Sequence, residues 1–232
     1  MQAIYQAKGL GKSYGRKTAL ENVSFEILPG RLVGLLGPNG SGKTTLLKLS
    51  AGLLTPSTGC VLIDGHTPGV ATKTITSYLP DRMSLPTEMK VDDMVSLYGE
   101  FFADFDTAKA SAMLADLKLD PRQRIGAMSK GTQEKMQLCL AMSRAARLYL
   151  LDEPLGGVDP AAREYILNTI VRNYNEDAAV VISTHLVEDV ERMLDEVLIL
   201  KDSHLLLHRG VDELREESGM SLDEYFHDTF RV

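Results

Sequence analysis

The sequence predicts an α/β fold, because short apolar runs alternate with segments of helical periodicity. Three runs are apolar enough to form buried strands, at residues 31–36, 148–152 and 178–183. The first run is joined to a helix-compatible segment by a glycine-rich loop, GPNGSGKTT. The expected core is therefore a sheet flanked by helices, with the loop between a strand and a helix.

Length and composition fit one domain that carries an insertion. A chain of 232 residues is long for a single compact domain and short for two. An apolar content of 44% and a charged content of 25% are ordinary for a soluble globular protein. The net charge of -7 disfavours a general nucleic-acid binder, which would show a basic face. We therefore expect no direct binding of nucleic acid.

The hydrophobic runs are too short to cross a membrane, since a spanning helix needs about 18 apolar residues. The first residues lack a basic head followed by an apolar stretch, so we predict no secretory signal and expect a cytosolic protein.

Cys60 and Cys139 lie far apart and within apolar segments. We expect two free, buried thiols rather than a disulfide.

The first thirty residues predict an antiparallel pair of strands. Residues 3–8 and 22–27 have strand character, and the turn-rich stretch between them, GLGKSYGRKTALE, suits a hairpin-like connection. Tyr14 lies in this stretch. Its ring either packs within the turn or is presented to the face of a purine, and the residue alone does not decide between the two.

The loop from Gly37 to Thr45 fits the pattern of a glycine, four residues, then Gly-Lys-Ser/Thr. Its glycines let successive backbone N–H groups turn inward, which forms an anion nest at the N-terminus of the next helix. Lys43 then supplies a charge for β and γ phosphates, and the Thr44 hydroxyl is suited to Mg²⁺. A glycine-rich turn that binds nothing is disfavoured, because every fixed position is filled. The candidate nucleotide-binding residues here are Gly37, Asn39, Gly40, Ser41, Gly42, Lys43, Thr44 and Thr45.

The middle of the chain changes from α/β alternation to helical periodicity. Residues 60–63 and 74–79 predict two further strands. Residues 85–119 then repeat apolar side chains at spacings of three and four, which predicts a helical insertion. A helix that begins at Ser129 follows.

The last third predicts a return to strands and ends in a helical tail. Asp159 and Pro160 suit the N-cap and first position of a helix. Residues 196–200 and 205–208 form a hairpin-like pair. The tail from Val211 is acidic and helical.

Two carboxylates end the apolar run LYLLDEP at residues 148–154. Ligands bind at the carboxyl ends of strands in open parallel sheets, so Asp152 is placed to hold Mg²⁺. Glu153 is placed to accept a proton from an attacking water, a role worth about 10²- to 10⁴-fold in rate. The alternative is a strand that closes in a turn without chemistry.

Together these motifs resemble the ATP-binding subunit of an ABC transporter. GPNGSGKTT resembles the Walker A motif of that family, and LYLLDEP resembles Walker B with its catalytic glutamate. LGGVDP resembles the D-loop that ends in Asp159, and STH resembles the switch region with His185. The resemblance implies that Tyr14 stacks on adenine and that His185 contacts the γ-phosphate. Helix capping alone would also account for Asp159.

Two positions depart from the pattern of the family. The signature, usually Leu-Ser-Gly-Gly-Gln, reads MSKGT, in which Ser129 and Gly131 match and Lys130 does not. Asp81 replaces the usual Q-loop glutamine; it keeps an oxygen ligand for Mg²⁺ but adds charge. The YLPD form with a Ser-Lys-Gly signature resembles bacterial subunits of the antibiotic and peptide exporter type.

The resemblance implies a P-loop NTPase core at about residues 1–80 and 148–210, with an antiparallel β lobe. A helical subdomain is implied at about residues 81–147, and a C-terminal helical tail at residues 211–232. Such a subunit lies on the cytoplasmic face of the membrane and powers a separate membrane permease.

In that arrangement two cassettes, identical or different, close head to tail on two ATP·Mg²⁺. Each site would join the residues of one chain to Ser129 and Gly131 of the other. The rival interpretation is a soluble ABC ATPase that acts on ribosomes, chromosomes or cofactor assembly. A regulatory module that binds nucleotide without hydrolysis is a third, which Glu153 and His185 argue against.

Overall fold

A computed structural model of the chain describes residues 2–156, 158, 160–175 and 177–230, and the side chains of residues 160–162 are outside that description. The expectation for Asp159 therefore lies outside the described residues. The strands are β1 (Tyr5–Tyr14), β2 (Lys17–Ile27), β3 (Leu32–Leu36), β4 (Thr58–Ile63), β5 (Thr76–Leu79), β6 (Leu148–Asp152), β7 (Ala179–Thr184), β8 (Glu196–Lys201) and β9 (His204–Gly210). The helices are α1 (Lys43–Ser50), α2 (Val70–Lys73), α3 (Val91–Phe101), α4 (Thr107–Asp116), α5 (Lys130–Met142), α6 (Pro160–Asn173), α7 (Val187–Val190), α8 (Val211–Ser218) and α9 (Leu222–Thr229).

The strands form two sheets, which confirms the predicted α/β fold with an antiparallel β lobe. The larger sheet has the order β5-β6-β7-β3-β8-β9. Its first five strands are parallel to one another, and β9 runs antiparallel to β8. The smaller sheet, β2-β1-β4, is antiparallel. Since β3 lies between β7 and β8, the loop that follows β3 leaves from the interior of the larger sheet.

The N-terminal hairpin is much longer than the sequence predicts. Strands β1 and β2 run almost into each other, so that the connection is reduced to Gly15 and Arg16. The prediction of strands at residues 3–8 and 22–27 was wrong in extent because Gly9 and Gly11 lie inside β1, where the register shifts several times. Glycines within such bulged strands resemble turn residues in a sequence.

The larger sheet is buried on both faces, as expected for parallel strands. In β3, Leu32 and Leu36 belong to the hydrophobic cluster that includes the helices α3 to α6. The alternate residues Val33 and Leu35 belong to a second cluster, formed with the antiparallel lobe and α1. The loop after β3 therefore leaves a buried strand, and α1, which follows the loop, packs in the second cluster.

The helical segments after β5 are tied to the sheet by Arg144, which follows α5. Its guanidinium donates to Asp104 Oδ1 from Nε at 3.0 Å and to the carbonyl of Thr76 at 2.7 Å, and it lies 4.0 Å from the ring centroid of Phe102. Only 3% of Arg144 is exposed. The contacts satisfy a buried charge and fix the position of α5 relative to β5.

The cysteines and the C-terminal tail largely follow the predictions. Both thiols are free; Cys139 is buried, whereas Cys60 is partly exposed, so the prediction of burial was wrong for Cys60.

The tail forms α8 and α9, and Ser221 caps α9 by accepting from Glu224 N at 3.1 Å. Within the described residues, no helix combines the length and apolarity that a bilayer crossing requires.

Candidate functional site

The loop after β3 wraps closely against the antiparallel lobe. Gly42 precedes α1 with φ of 112°, a conformation that favours glycine, and a Cβ added there would lie 2.5 Å from the carbonyl oxygen of Ala19. Lys43 is 5% exposed, and its Nζ donates to the carbonyl of Gly37 at 2.7 Å. The ammonium group is thus held inside the curve of the loop.

Lys43, Glu153 and His185 form a continuous chain of charged and polar contacts. Lys43 Nζ lies 3.3 Å from Glu153 Oε1, and His185 Nδ1 lies 3.0 Å from Glu153 Oε2. Glu153 has a φ of 49°, in the left-handed region that non-glycine residues rarely adopt. Its N–H donates to both the carbonyl and the hydroxyl of Ser183 at 3.0 Å, which holds the strained backbone in place.

Asp152 is fully buried beside this chain. Its Oδ1 accepts from Thr44 Oγ1 at 3.1 Å and from Ser183 Oγ at 2.7 Å, whereas its Oδ2 is buried without a hydrogen-bond partner among the described residues. Burial raises the pKa of Asp152; the two hydroxyl bonds oppose that rise, and the charges of Asp81 and Glu153 add to it. A buried carboxylate oxygen without a donor is well suited to a cation.

The residues present fit Mg²⁺, which prefers oxygen ligands. Besides the free Oδ2 of Asp152, the Thr44 hydroxyl and the Asp81 carboxylate supply oxygen atoms at the same cleft. Asp81 borders both the main cavity beside the loop and the small cavity next to Asp152 and Glu153. All three predicted metal ligands are therefore close to the loop.

The main cavity measures about 410 Å³ and extends from the loop to the tip of the N-terminal hairpin. Tyr14, at the end of β1, forms part of its wall and is 48% exposed. Lys12 Nζ lies 5.3 Å from the ring centroid of Tyr14. The predicted residues that line the cavity are Tyr14, Asn39, Gly40, Gly42, Lys43, Thr44, Thr45, Asp81 and Glu153. Ser41 is buried and its hydroxyl has no partner in the part of the chain that the structure describes.

Ser129 and Gly131 line neither cavity, although Glu134 and Gln137 of the same helix border the small one. The Oγ of Ser129 accepts from Thr132 N at 3.2 Å, which confirms the predicted cap of α5. A Cβ added to Gly131 would meet no described atom within 4 Å. The side chain of Lys130 is 81% exposed and lies 3.6 Å from Glu134. Within one chain, the signature residues are not brought to the loop.

Sequence reasoning missed Ser183, which joins the strand ends of the site. Its hydroxyl donates to Asp152 Oδ1 and accepts from the N–H of Glu153. Its signal is present in the sequence, since it is the hydroxyl residue directly before Thr184 and His185 at the end of a buried strand. The pairing that makes it useful, Asp152 opposite Ser183 in the sheet, is visible only in the structure.

Comparisons with known proteins agree on one family. The family described as ABC transporter matches residues 20–156, which is more than half of the chain. An uncharacterized ABC transporter ATP-binding protein of Methanocaldococcus jannaschii is 31% identical over 219 residues, which cover 92% of this chain and 80% of the relative. The SkfA peptide export ATP-binding protein SkfE of Bacillus subtilis is 28% identical, with 93% and 92% covered.

A solved structure of the ATP-binding subunit of an ABC transporter superposes on this chain with a TM-score of 0.84 at 26% identity. The match covers 97% of this chain and 98% of the solved one. With the Walker-type loop, the paired carboxylates and His185 already assembled at one cleft, the chain belongs to the ABC transporter family, as one of its ATP-binding subunits.

Proposed function

We propose that this chain binds and hydrolyses ATP and forms a dimer with a second cassette when ATP is bound. The dimer powers a separate membrane permease, and the assembly is an exporter. The observation that carries the proposal is the contact chain from Lys43 through Glu153 to His185, beside the unpartnered oxygen of Asp152. A structural role alone does not explain why a buried carboxylate oxygen is left without a donor among the described residues.

ATP would bind along the main cavity. The loop amides and Lys43 hold the β and γ phosphates, and Tyr14 at the far wall stacks on adenine. Thr44, Asp152 and Asp81 would hold Mg²⁺, which neutralises phosphate charge during the reaction. A phosphate near Lys43 competes with Glu153 for the ammonium group, because the two lie 3.3 Å apart.

Once Glu153 is released from Lys43, its Oε1 is free to accept a proton from water. His185 remains hydrogen-bonded to the other oxygen and orients the carboxylate. Glu153 thus acts as the general base, and His185 both orients Glu153 and faces the γ-phosphate.

The second cassette supplies the missing half of the site. A Cβ at Gly131 would meet no described atom within 4 Å, and Ser129 caps an exposed helix start, so both are available to the ATP of another chain. A helix N-terminus favours a phosphate through its free N–H groups and dipole. We therefore assign Ser129 and Gly131 to the partner's nucleotide, in a homodimer or a heterodimer.

The permease and the direction of transport rest on relatives. SkfE is described as a peptide export ATP-binding protein, and a Rhizobium relative 29% identical to this chain as a Nod factor export ATP-binding protein. The chain would accordingly lie on the cytoplasmic face of the membrane. Its net charge of -7 supports the absence of direct nucleic-acid binding.

The test uses the Glu153→Gln variant, which retains the phosphate loop but lacks the proposed base. With ATP and Mg²⁺ its mass by light scattering should double, whereas Lys43→Ala should stay monomeric. A Glu153→Gln chain that binds ATP but remains monomeric would contradict the dimer.

Affinity capture from detergent-solubilised membranes tests the partner. Recovery of a protein with several membrane spans supports the permease. Recovery of ribosomes or nucleic acid instead would favour the soluble ABC ATPase.

A further inference from the structure

Gln137 is a buried polar residue in the interior of α5, and it is 5% exposed. Its Oε1 accepts from the N–H of Ser84 at 2.8 Å and from the hydroxyl of Ser84 at 3.2 Å. Its Nε2 donates to the carbonyl of Pro80 at 3.4 Å. One amide therefore holds both ends of residues 80–84, the segment that carries Asp81.

This segment follows a short strand that has a neighbour in the sheet on one side alone among the described residues. Strand β5 is four residues long and lies at the edge of the larger sheet, where it pairs with β6. A second polar link also runs from β5 to α5, since Ser77 Oγ donates to the carbonyl of Ala141 at 2.8 Å. The position of Asp81 thus depends on α5 as well as on the sheet.

Helix α5 begins with the signature residues and continues to Gln137. Ser129 and Gln137 are eight positions apart, about 12 Å along a helix. An apolar side chain would suffice for packing at this depth, and a buried amide is unfavourable unless it is hydrogen-bonded. The amide is therefore explained by what it holds, the segment with Asp81.

We propose that Gln137 is a positioning residue that fixes Asp81 at the metal side of the cleft and links it rigidly to the signature helix. A contact made at Ser129 and Gly131 by a second chain is then transmitted through α5 to Asp81. The inference rests on the proposed function, because only that function requires Asp81 to bind a metal ion.

The first test needs no nucleotide. In the Gln137→Met variant, which keeps the length of the side chain but lacks its amide, hydrogen–deuterium exchange of the backbone N–H groups of residues 81–84 should be about 10-fold faster. The matched control is Gln133→Met, one turn earlier on α5, whose Nε2 donates to the carbonyl of Ile125 at 2.9 Å. That variant should leave exchange of residues 81–84 as in the parent.

The second test measures metal binding in the Glu153→Gln background, in which ATP is not consumed. Mn²⁺ is titrated against a fixed concentration of fluorescent ATP. Gln137→Met should raise the half-saturating Mn²⁺ concentration about 10-fold, as loss of outer-shell partners typically does, while affinity for ATP without metal is unchanged. In an Asp81→Asn background the further shift caused by Gln137→Met should disappear.

Unchanged exchange in Gln137→Met would overturn the inference, as would faster exchange with an unchanged Mn²⁺ response. A shift that persists in full with Asp81→Asn would also overturn it. If Gln137→Met does not fold, Ser84→Ala removes the hydroxyl contact alone, and it should shift both readouts in the same direction by less. A parent chain that binds no ATP at all would refute the proposed function and leave the exchange result intact.

Discussion

Gly42 and Gly131 both belong to segments expected to bind phosphate, yet the chain itself requires only one of them. A side chain at Gly42 would collide with the carbonyl of Ala19 and the side chain of Leu20, and its φ of 112° excludes most residues. Gly131 lies in the first turn of α5, where an added Cβ would meet no described atom within 4 Å. The fold explains Gly42 completely and does not explain Gly131.

The same contrast extends to the neighbours of the two glycines. Lys43 is buried and bonded to the loop and to Glu153. Lys130, by comparison, is 81% exposed and pairs only loosely with Glu134. Residues whose side chains are buried and bonded within one chain indicate a site inside that chain. Residues that stay exposed in the folded chain are the ones we assign to a partner. Three experiments test this distinction.

The largest expected effect is on ATP turnover, at the buried contacts around Lys43. Replacement Glu153→Gln should lower ATP turnover by about 10²- to 10⁴-fold, because an amide does not accept a proton as a carboxylate does. Binding of ATP should persist, since Lys43 and the loop amides are intact. Steady-state phosphate release and binding of a fluorescent ATP measure the two properties separately. Turnover at the parent rate would remove Glu153 as the base.

An intermediate effect on turnover is expected at the exposed start of α5. Replacement Gly131→Ala should raise the free energy of unfolding by up to about 1 kcal/mol, because alanine is the better helix former and meets no described atom. Turnover should nevertheless fall about 10-fold or more, since the added methyl group blocks close approach of a phosphate from the second chain. Denaturant unfolding and phosphate release check the two parts. Parent-like turnover would indicate that no partner uses this surface.

The smallest effect concerns stability at Asp152. Burial raises the pKa of this carboxyl, so its ionised form destabilises the fold, and stability is lost as pH rises through the raised pKa. Replacement Asp152→Asn should therefore raise the melting temperature at pH 7 by about 2–4 °C, the shift that ~1 kcal/mol produces in a chain of this size. The gain should shrink as the pH is lowered below the raised pKa, where the parent carboxyl is also protonated. A lower melting temperature at pH 7 would contradict this account.

The motifs were predictable because each depends on residues adjacent in the sequence. The loop around Lys43, the strand end at Asp152 and the cap at Ser129 all carry local signals. The extent of β1 was not predictable, since its bulges arise from pairing with β2 and β4. Ser183 escaped notice for the same reason, because its partner Asp152 lies 31 residues away in the sequence.

Gln137 illustrates a different difficulty. In the sequence it is one polar residue in a helix that carries several, among them Gln133 and Glu134. Its importance follows from burial and from contacts to residues that lie 53 and 57 positions away. Helical periodicity indicates which face is buried, but it does not show what a buried amide will meet.

The positive φ of Glu153 bears on its proposed role as a base. A strained conformation of this kind costs of order 1–3 kcal/mol, and here that cost is met when the chain folds. The N–H of Glu153 is held by Ser183, and its carboxylate is hydrogen-bonded to His185, so both are already in place in the folded chain. If Glu153 acts as the proposed base, this cost is not met again at each turnover, which is the advantage of a preorganised group.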